Sequence, residues 1–81
     1  MPMIEMKDLI ANIAKALVDK PTEVVVTEIK GQNISVIELK VAKEDIGKII
    51  GKRGRNADAM RYILIAASKK LGKRFTLEIL G

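Results

Sequence analysis

The sequence predicts an α+β fold, with helices packed on one face of a three-stranded sheet, in the order α-β-β-α-α-β. Three observations lead there. Apolar residues recur at three- and four-residue spacing near the start of the chain and again across residues 57–71. Between and after those stretches, β-branched and alternating apolar residues mark three short strands. Glycines then punctuate the chain where one element must give way to the next.

The first helix is expected over Ile4 to Asp19, with Met6, Leu9, Ile10, Ile13 and Leu17 on one stripe and Lys7, Asp8 and Lys15 off it. Pro21 is expected to end it, because proline disfavours helical geometry in the residue before it, here Lys20. Thr22 to Lys30 reads as a strand carrying Val24, Val25, Val26 and Ile29. Gly31-Gln32-Asn33 is a turn, and Ile34 to Val41 returns as a second strand in which Ile37, Leu39 and Val41 alternate with Glu38 and Lys40. A short helix follows over Lys43 to Ile50, broken at Gly51 and Gly54. A longer one spans Asn56 to Leu71 on the stripe Ala57, Met60, Leu64, Ala67 and Leu71. Gly72 stops that helix, after Lys69 and Lys70 in the last turn where the helix dipole favours cations. Phe75, Leu77 and Ile79 close the sheet, with Phe75 facing inward.

Eighty-one residues are room for one domain, expected to occupy 1–81. A chain of this size buries only about 60% of its unfolded surface, so it depends on a packed core or a partner subunit. The sequence has no cysteine and no histidine, which excludes disulfides, thiol nucleophiles and imidazole acid–base chemistry. Ser35 and Ser68 have no imidazole to activate them, and no enzyme, cofactor or metal site is expected. Glu44 and Asp45 are too few for a metal and read as first-turn acids complementing a helix dipole. The longest apolar run, Tyr62 to Ala67, is far too short for a membrane span, and no apolar signal core opens the chain. A cytoplasmic location is expected.

Net charge is +5, unevenly distributed: residues 1–47 carry six Lys against eight Asp/Glu, whereas residues 48–74 carry nine Lys/Arg against Asp58 alone. Such asymmetry points to a polyanion, nucleic acid ahead of an anionic membrane. Within that basic third, Gly51 and Gly54 bracket Lys52 and Arg53 between two helices, and Lys48, Lys52, Arg53 and Arg55 fall within eight residues. Glycine leaves no side chain to hold a ligand's backbone away, and a helix start presents unpaired N–H donors. A tight helix–helix turn with solvated charges explains the same glycines without a ligand. A nucleotide-binding P-loop is excluded, because Gly47 to Gly51 is one residue short and no Ser or Thr follows Lys52.

The string Ile46-Gly-Lys-Ile-Ile-Gly-Lys-Arg-Gly-Arg-Asn56 resembles the signature of the KH domain, whose Gly-x-x-Gly loop clamps nucleic-acid backbone. With the element order, it resembles the prokaryotic, type II KH fold over roughly Ile4 to Leu80, and is similar to the small bacterial single-KH-domain, KhpA-like RNA-binding proteins. The resemblance implies that about four single-stranded nucleotides cross a groove at Ile46, Gly47, Lys48, Ile50, Gly51, Lys52, Arg53, Gly54, Arg55 and Asn56. Gly51 and Gly54 would admit the backbone, Lys52 and Arg53 would meet phosphates, and Ile46, Ile49 and Ile50 would line the helix beside the bases. One departure is Ala57, where many KH domains carry a large aliphatic side chain. The resemblance also implies a homodimer, or pairing with a second KH-containing RNA-binding protein, and is the sole source of any cell-shape or envelope role.

Tyr62 and Phe75 are the only aromatic residues, so the stacking platforms of RRM and OB modules are absent. On a helical wheel Asp58, Arg61, Ser68 and Lys69 oppose the buried stripe, with Ile65 among them and Tyr62 near the margin. Ile65 and Tyr62 are therefore candidates for a protein interface. Two readings of function follow: an RNA-binding module acting as a chaperone or post-transcriptional regulator, and a protein-interaction subunit with minor RNA contact. Double-stranded DNA is a weaker third, because a glycine loop suits a flexible single strand.

Overall fold

A computed structural model describes residues 5–81. Helix α1 (Met6–Leu17) leads through a 3-10 turn at Pro21–Glu23 into strands β1 (Val25–Lys30) and β2 (Ile34–Lys40). Another 3-10 turn at Lys43–Asp45 opens the short helix α2 (Ile46–Ile50). A third, at Lys52–Gly54, joins α2 to α3 (Arg55–Leu71), and β3 (Arg74–Leu80) closes the fold. This is the expected α+β order. Ile4, the expected first helical residue, lies outside the described residues.

β1 and β2 form the expected antiparallel hairpin, Val26 opposite Leu39 and Ile29 opposite Val36, with Gly31 N–H donating to Ile34 O across the turn at 2.7 Å. β3 joins the other edge of β2 in parallel, Ile37 beside Leu77. A parallel neighbour demands a crossover connection, and here that connection is α2, the glycine turn and α3. The most basic segment of the chain is thus the bridge across one face of the sheet.

Period-two patterning decides which face those helices cover. Ser35, Ile37 and Leu39 of β2 and Phe75 and Leu77 of β3 point one way and are buried. They meet Ile10 from α1, Ile49 from α2, and Met60 and Leu64 from α3 in one core. Phe75 takes its expected inward place, and Ala57 is buried in the first turn of α3. Among the described residues no helix covers the opposite face, which exposes Val25, Ile29, Ile34 and Leu80.

Several boundaries differ from expectation for identifiable reasons. α1 stops at Leu17, with Val18 already extended, so the helix ends before Pro21 acts. The N–H groups of Asp19 and Lys20 donate to the carboxylate of Asp45 on a distant segment, a tertiary contact that replaces further helical bonds. Thr22 belongs to the 3-10 turn, and β1 begins at Val25. Ser68 does not oppose the core: it lies one helical turn beyond Leu64, donates to Leu64 O at 2.7 Å and accepts Phe75 N–H at 3.0 Å. It ties α3 to β3. Leu71, placed on the buried stripe, is exposed at the helix end, where Gly72 turns the chain away in a left-handed conformation.

Candidate nucleic-acid interface

The turn between α2 and α3 departs sharply from ordinary backbone. Gly51 has φ 76° and ψ 173°, a combination that is essentially glycine-only. Arg53 follows at φ 59° and Gly54 at φ 74°, both left-handed. Three residues of positive φ within four positions make a compact turn rather than a continuous helix. Gly51 N–H donates to Gly47 O at 2.9 Å, ending α2, and Gly54 N–H donates to Gly51 O at 3.1 Å, closing the turn. Lys52 and Arg53 open that turn, the positions whose N–H donors a 3-10 turn does not use itself.

Asn56 fixes this geometry. Its side-chain amide donates to Lys48 O at 2.8 Å, capping a carbonyl that the end of α2 leaves free. The same side chain lies against Gly51 so closely that a Cβ there would stand 2.7 Å from its Cγ. Asn56 therefore locks the first helix to the second behind the glycines.

The expected cations divide into two groups. Lys52, Arg53 and Arg55 are exposed, and among the described residues none forms an ion pair. Lys48 is engaged elsewhere: its ammonium pairs with Asp19 and lies 3.6 Å from Asp45. The bond to Asp19, with help from Asp45, raises the Lys48 pKa against a smaller opposing effect of burial. Asp45 itself is only 1% exposed. Burial pushes its carboxyl upward, but the backbone donors of Lys20 at 3.0 Å and Asp19 at 3.3 Å, together with Lys48, outweigh this and hold it below the usual carboxylate range. Neighbouring Glu44 pairs with Lys20; their hydrogen bond lowers the Glu44 pKa and raises that of Lys20. The two acids thus stitch α2 to the chain after α1. Both acids stand in the first turn of the 3-10 segment that opens α2, the position expected to complement the helix dipole, and Asp45 makes no side-chain capping bond to α2.

The isoleucines also separate. Ile49 is fully buried in the core, whereas Ile50 is exposed beside the turn. Ile46 is half-buried against the end of β3, close enough that a side chain on Gly81 would collide with it. Gly47, on the same short helix, is exposed, and an added Cβ there would meet nothing within 4 Å. Packing within the fold therefore does not require a glycine at that position.

Tyr62 and Ile65 lie apart from this turn on the outer face of α3, 74% and 52% exposed, Tyr62 the more outward of the two. Beside Ile65 a shallow cleft of about 220 Å³ opens between Arg61, Leu64, Phe75, Thr76 and Leu77. Among the described residues no acidic cluster could hold a metal, and no helix is long and apolar enough to cross a membrane.

Comparison with known proteins agrees with this architecture. The sequence model of the KhpA/KhpB KH domain matches residues 7–79. RNA-binding protein KhpA of Clostridium acetobutylicum is 52% identical over 75 residues, 93% of this chain and 100% of the relative. Its namesake from Aquifex aeolicus is 51% identical over 78 residues, 96% of this chain and 99% of the relative. Among solved structures, Era of Aquifex aeolicus superposes with a TM-score of 0.60 at 23% identity, over 91% of this chain and 29% of Era. Era in complex with MgGDPNP and nucleotides 1506–1542 of 16S ribosomal RNA gives 0.58 at 21% identity, over 98% and 34%. Those two likenesses establish a shared fold. The family match and the near-full-length identity settle the lineage: the chain belongs to the KhpA/KhpB family of KH-domain proteins.

Proposed function

We propose that this protein is a non-enzymatic, cytoplasmic RNA-binding protein that clamps about four single-stranded nucleotides at the Gly51–Gly54 turn. The observation that carries the reading is the turn itself: strained, glycine-dependent backbone with three exposed cations that have no acidic partner among the described residues. Strain of this kind persists where surrounding structure enforces it, and it clusters at ligand clamps. Phosphates meet Lys52, Arg53 and Arg55, while Gly47 leaves the surface of α2 open and Ile46 and Ile50 offer apolar contact to bases. The relatives' name, RNA-binding protein, supports the same ligand. Contacts to backbone and aliphatic side chains give loose sequence preference, as suits an RNA chaperone or post-transcriptional regulator.

Titration into labelled single-stranded RNA at several salt concentrations tests this. Three neutralised phosphates predict a log–log slope of about −2. A folded Lys52→Asp/Arg53→Asp variant is expected to lose both affinity and most of that slope. Equal binding by the two proteins would reduce the turn to a connection between helices.

A second surface accompanies the first. Tyr62 and Ile65, with the adjoining cleft, form an exposed apolar patch on α3 suited to a homodimer or a second KH-containing protein. Two linked RNA sites would gain avidity over either alone. Ile65→Glu is expected to yield monomers in sedimentation, and an unchanged assembly would move the interface elsewhere. Intact protein contact with negligible RNA affinity would favour a protein-interaction subunit instead.

A further inference from the structure

We propose that Lys48 is a positioning residue rather than a phosphate contact, and that Asp19 and the buried Asp45 hold its half-exposed side chain as a strut between the end of α1 and α2. This inference rests on the RNA-binding reading and deepens it by naming which cations face the ligand.

Lys48 is a junction between three parts of the chain. Its side chain reaches Asp19 beyond the end of α1 and Asp45 at the start of α2. Its carbonyl accepts the side-chain amide of Asn56, which in turn lies against Gly51. Movement of Lys48 is therefore transmitted to the glycine turn through one side chain. α2 is only five residues long, too short to hold its place by its own hydrogen bonds. Ile49 anchors it from below, and the acids and Asn56 fix it from the two sides.

Asp45 completes the strut. A carboxylate 1% exposed needs partners on both oxygens, and it has them: Asp19 N–H and Lys48 on Oδ1, Lys20 N–H on Oδ2. Transferring the Lys48 ammonium to an RNA phosphate would deprive this buried acid of its cation, whereas the exposed Asp19 loses little. Lys52, Arg53 and Arg55 carry no such cost, because no acid among the described residues pairs with them.

The test compares binding of a labelled oligouridylate across a salt series for the parent, Lys48→Met, Lys52→Met and Asp45→Asn, each checked for folding by circular dichroism. Lys52→Met is expected to flatten the log–log slope by about 0.7, one phosphate contact. Lys48→Met is expected to keep the parent slope while weakening binding by one factor, about threefold to tenfold, at every salt concentration. Asp45→Asn is expected to do the same and to speed hydrogen exchange at the Asp19 and Lys20 amides, and Lys48→Arg to restore parent affinity. If Lys48→Met unfolds the chain, Asp19→Asn/Lys48→Met removes one acid with the lysine and answers the same question at constant net charge. A slope flattened by Lys48→Met as much as by Lys52→Met would overturn the proposal. Absence of oligouridylate binding by the parent would instead overturn the RNA reading, and unchanged amide exchange in Asp45→Asn would separately refute the strut.

Discussion

Replacing each loop glycine by alanine separates two effects that sequence alone makes look equivalent. At Gly54 an alanine meets nothing within 4 Å, so its cost is left-handed backbone alone, about 1–2 kcal/mol. At Gly51 the backbone lies at φ 76°, ψ 173°, a region costing a non-glycine residue about 1–3 kcal/mol. Alanine there would also sit 2.7 Å from Asn56 Cγ and 2.8 Å from Nδ2. The Asn56 side chain cannot swing away without surrendering its bond to Lys48 O, a further loss of about 0.5–1.5 kcal/mol. Gly51→Ala should therefore destabilise by about 2–4 kcal/mol, roughly twice the effect of Gly54→Ala. In a domain of this size each kcal/mol moves Tm by about 4–8 °C, so thermal denaturation resolves the difference easily. Gly51→Ala/Asn56→Ala should recover little of the loss, because the Asn56 Cβ, 2.9 Å from the added methyl, stays in place while the bond to Lys48 O is lost. Equal melting temperatures for the two single variants, or a less stable Gly54→Ala, would refute the account of the turn.

Other substitutions probe separate parts of the argument. Gly47→Ala should raise stability by about 0.5–1 kcal/mol by stiffening α2, yet weaken RNA binding in a titration, since the fold has no use for the missing side chain but a ligand does. Ser35 is fully buried and its hydroxyl has no hydrogen-bond partner among the described residues, so Ser35→Ala should raise Tm in calorimetry, by an amount consistent with about 1 kcal/mol. The Asp45 and Glu44 carboxyls are held below their ordinary pKa values of 3.8 and 4.5, so the unfolded chain binds protons first as pH falls. Their stabilisation is present above those values and lost as pH drops through the folded ones; Asp45→Asn should flatten this acid limb of a denaturation series.

The fold was largely legible because its signals are local and periodic. Met60 and Leu64 declared the buried side of α3, Ile37 and Leu39 the buried side of β2, and each lies in the core. Gly51 and Gly54 announced the turn, and both take the positive φ that makes glycine necessary there. What escaped the sequence was contact between distant segments. Nothing near Asp45 indicates that its carboxylate receives amides 25 and 26 residues earlier, ends α1 short of Pro21 and claims Lys48. Lys48 and Lys52 look alike in a basic run, and only the tertiary fold separates a paired ammonium from an unpaired one. Ser68 departs from expectation for a different reason: the helical wheel set it opposite the buried stripe, whereas its position one turn after Leu64 puts it at the α3–β3 seam.

Whether RNA is held at the glycine turn is decided by chemical-shift mapping of isotopically labelled protein with single-stranded RNA. The largest, saturable amide perturbations are expected on Gly47 and on Gly51 through Arg55, with Tyr62 and Ile65 little changed. Perturbations centred on Tyr62 and Ile65, with the Gly51–Gly54 amides silent, would contradict that placement of the RNA.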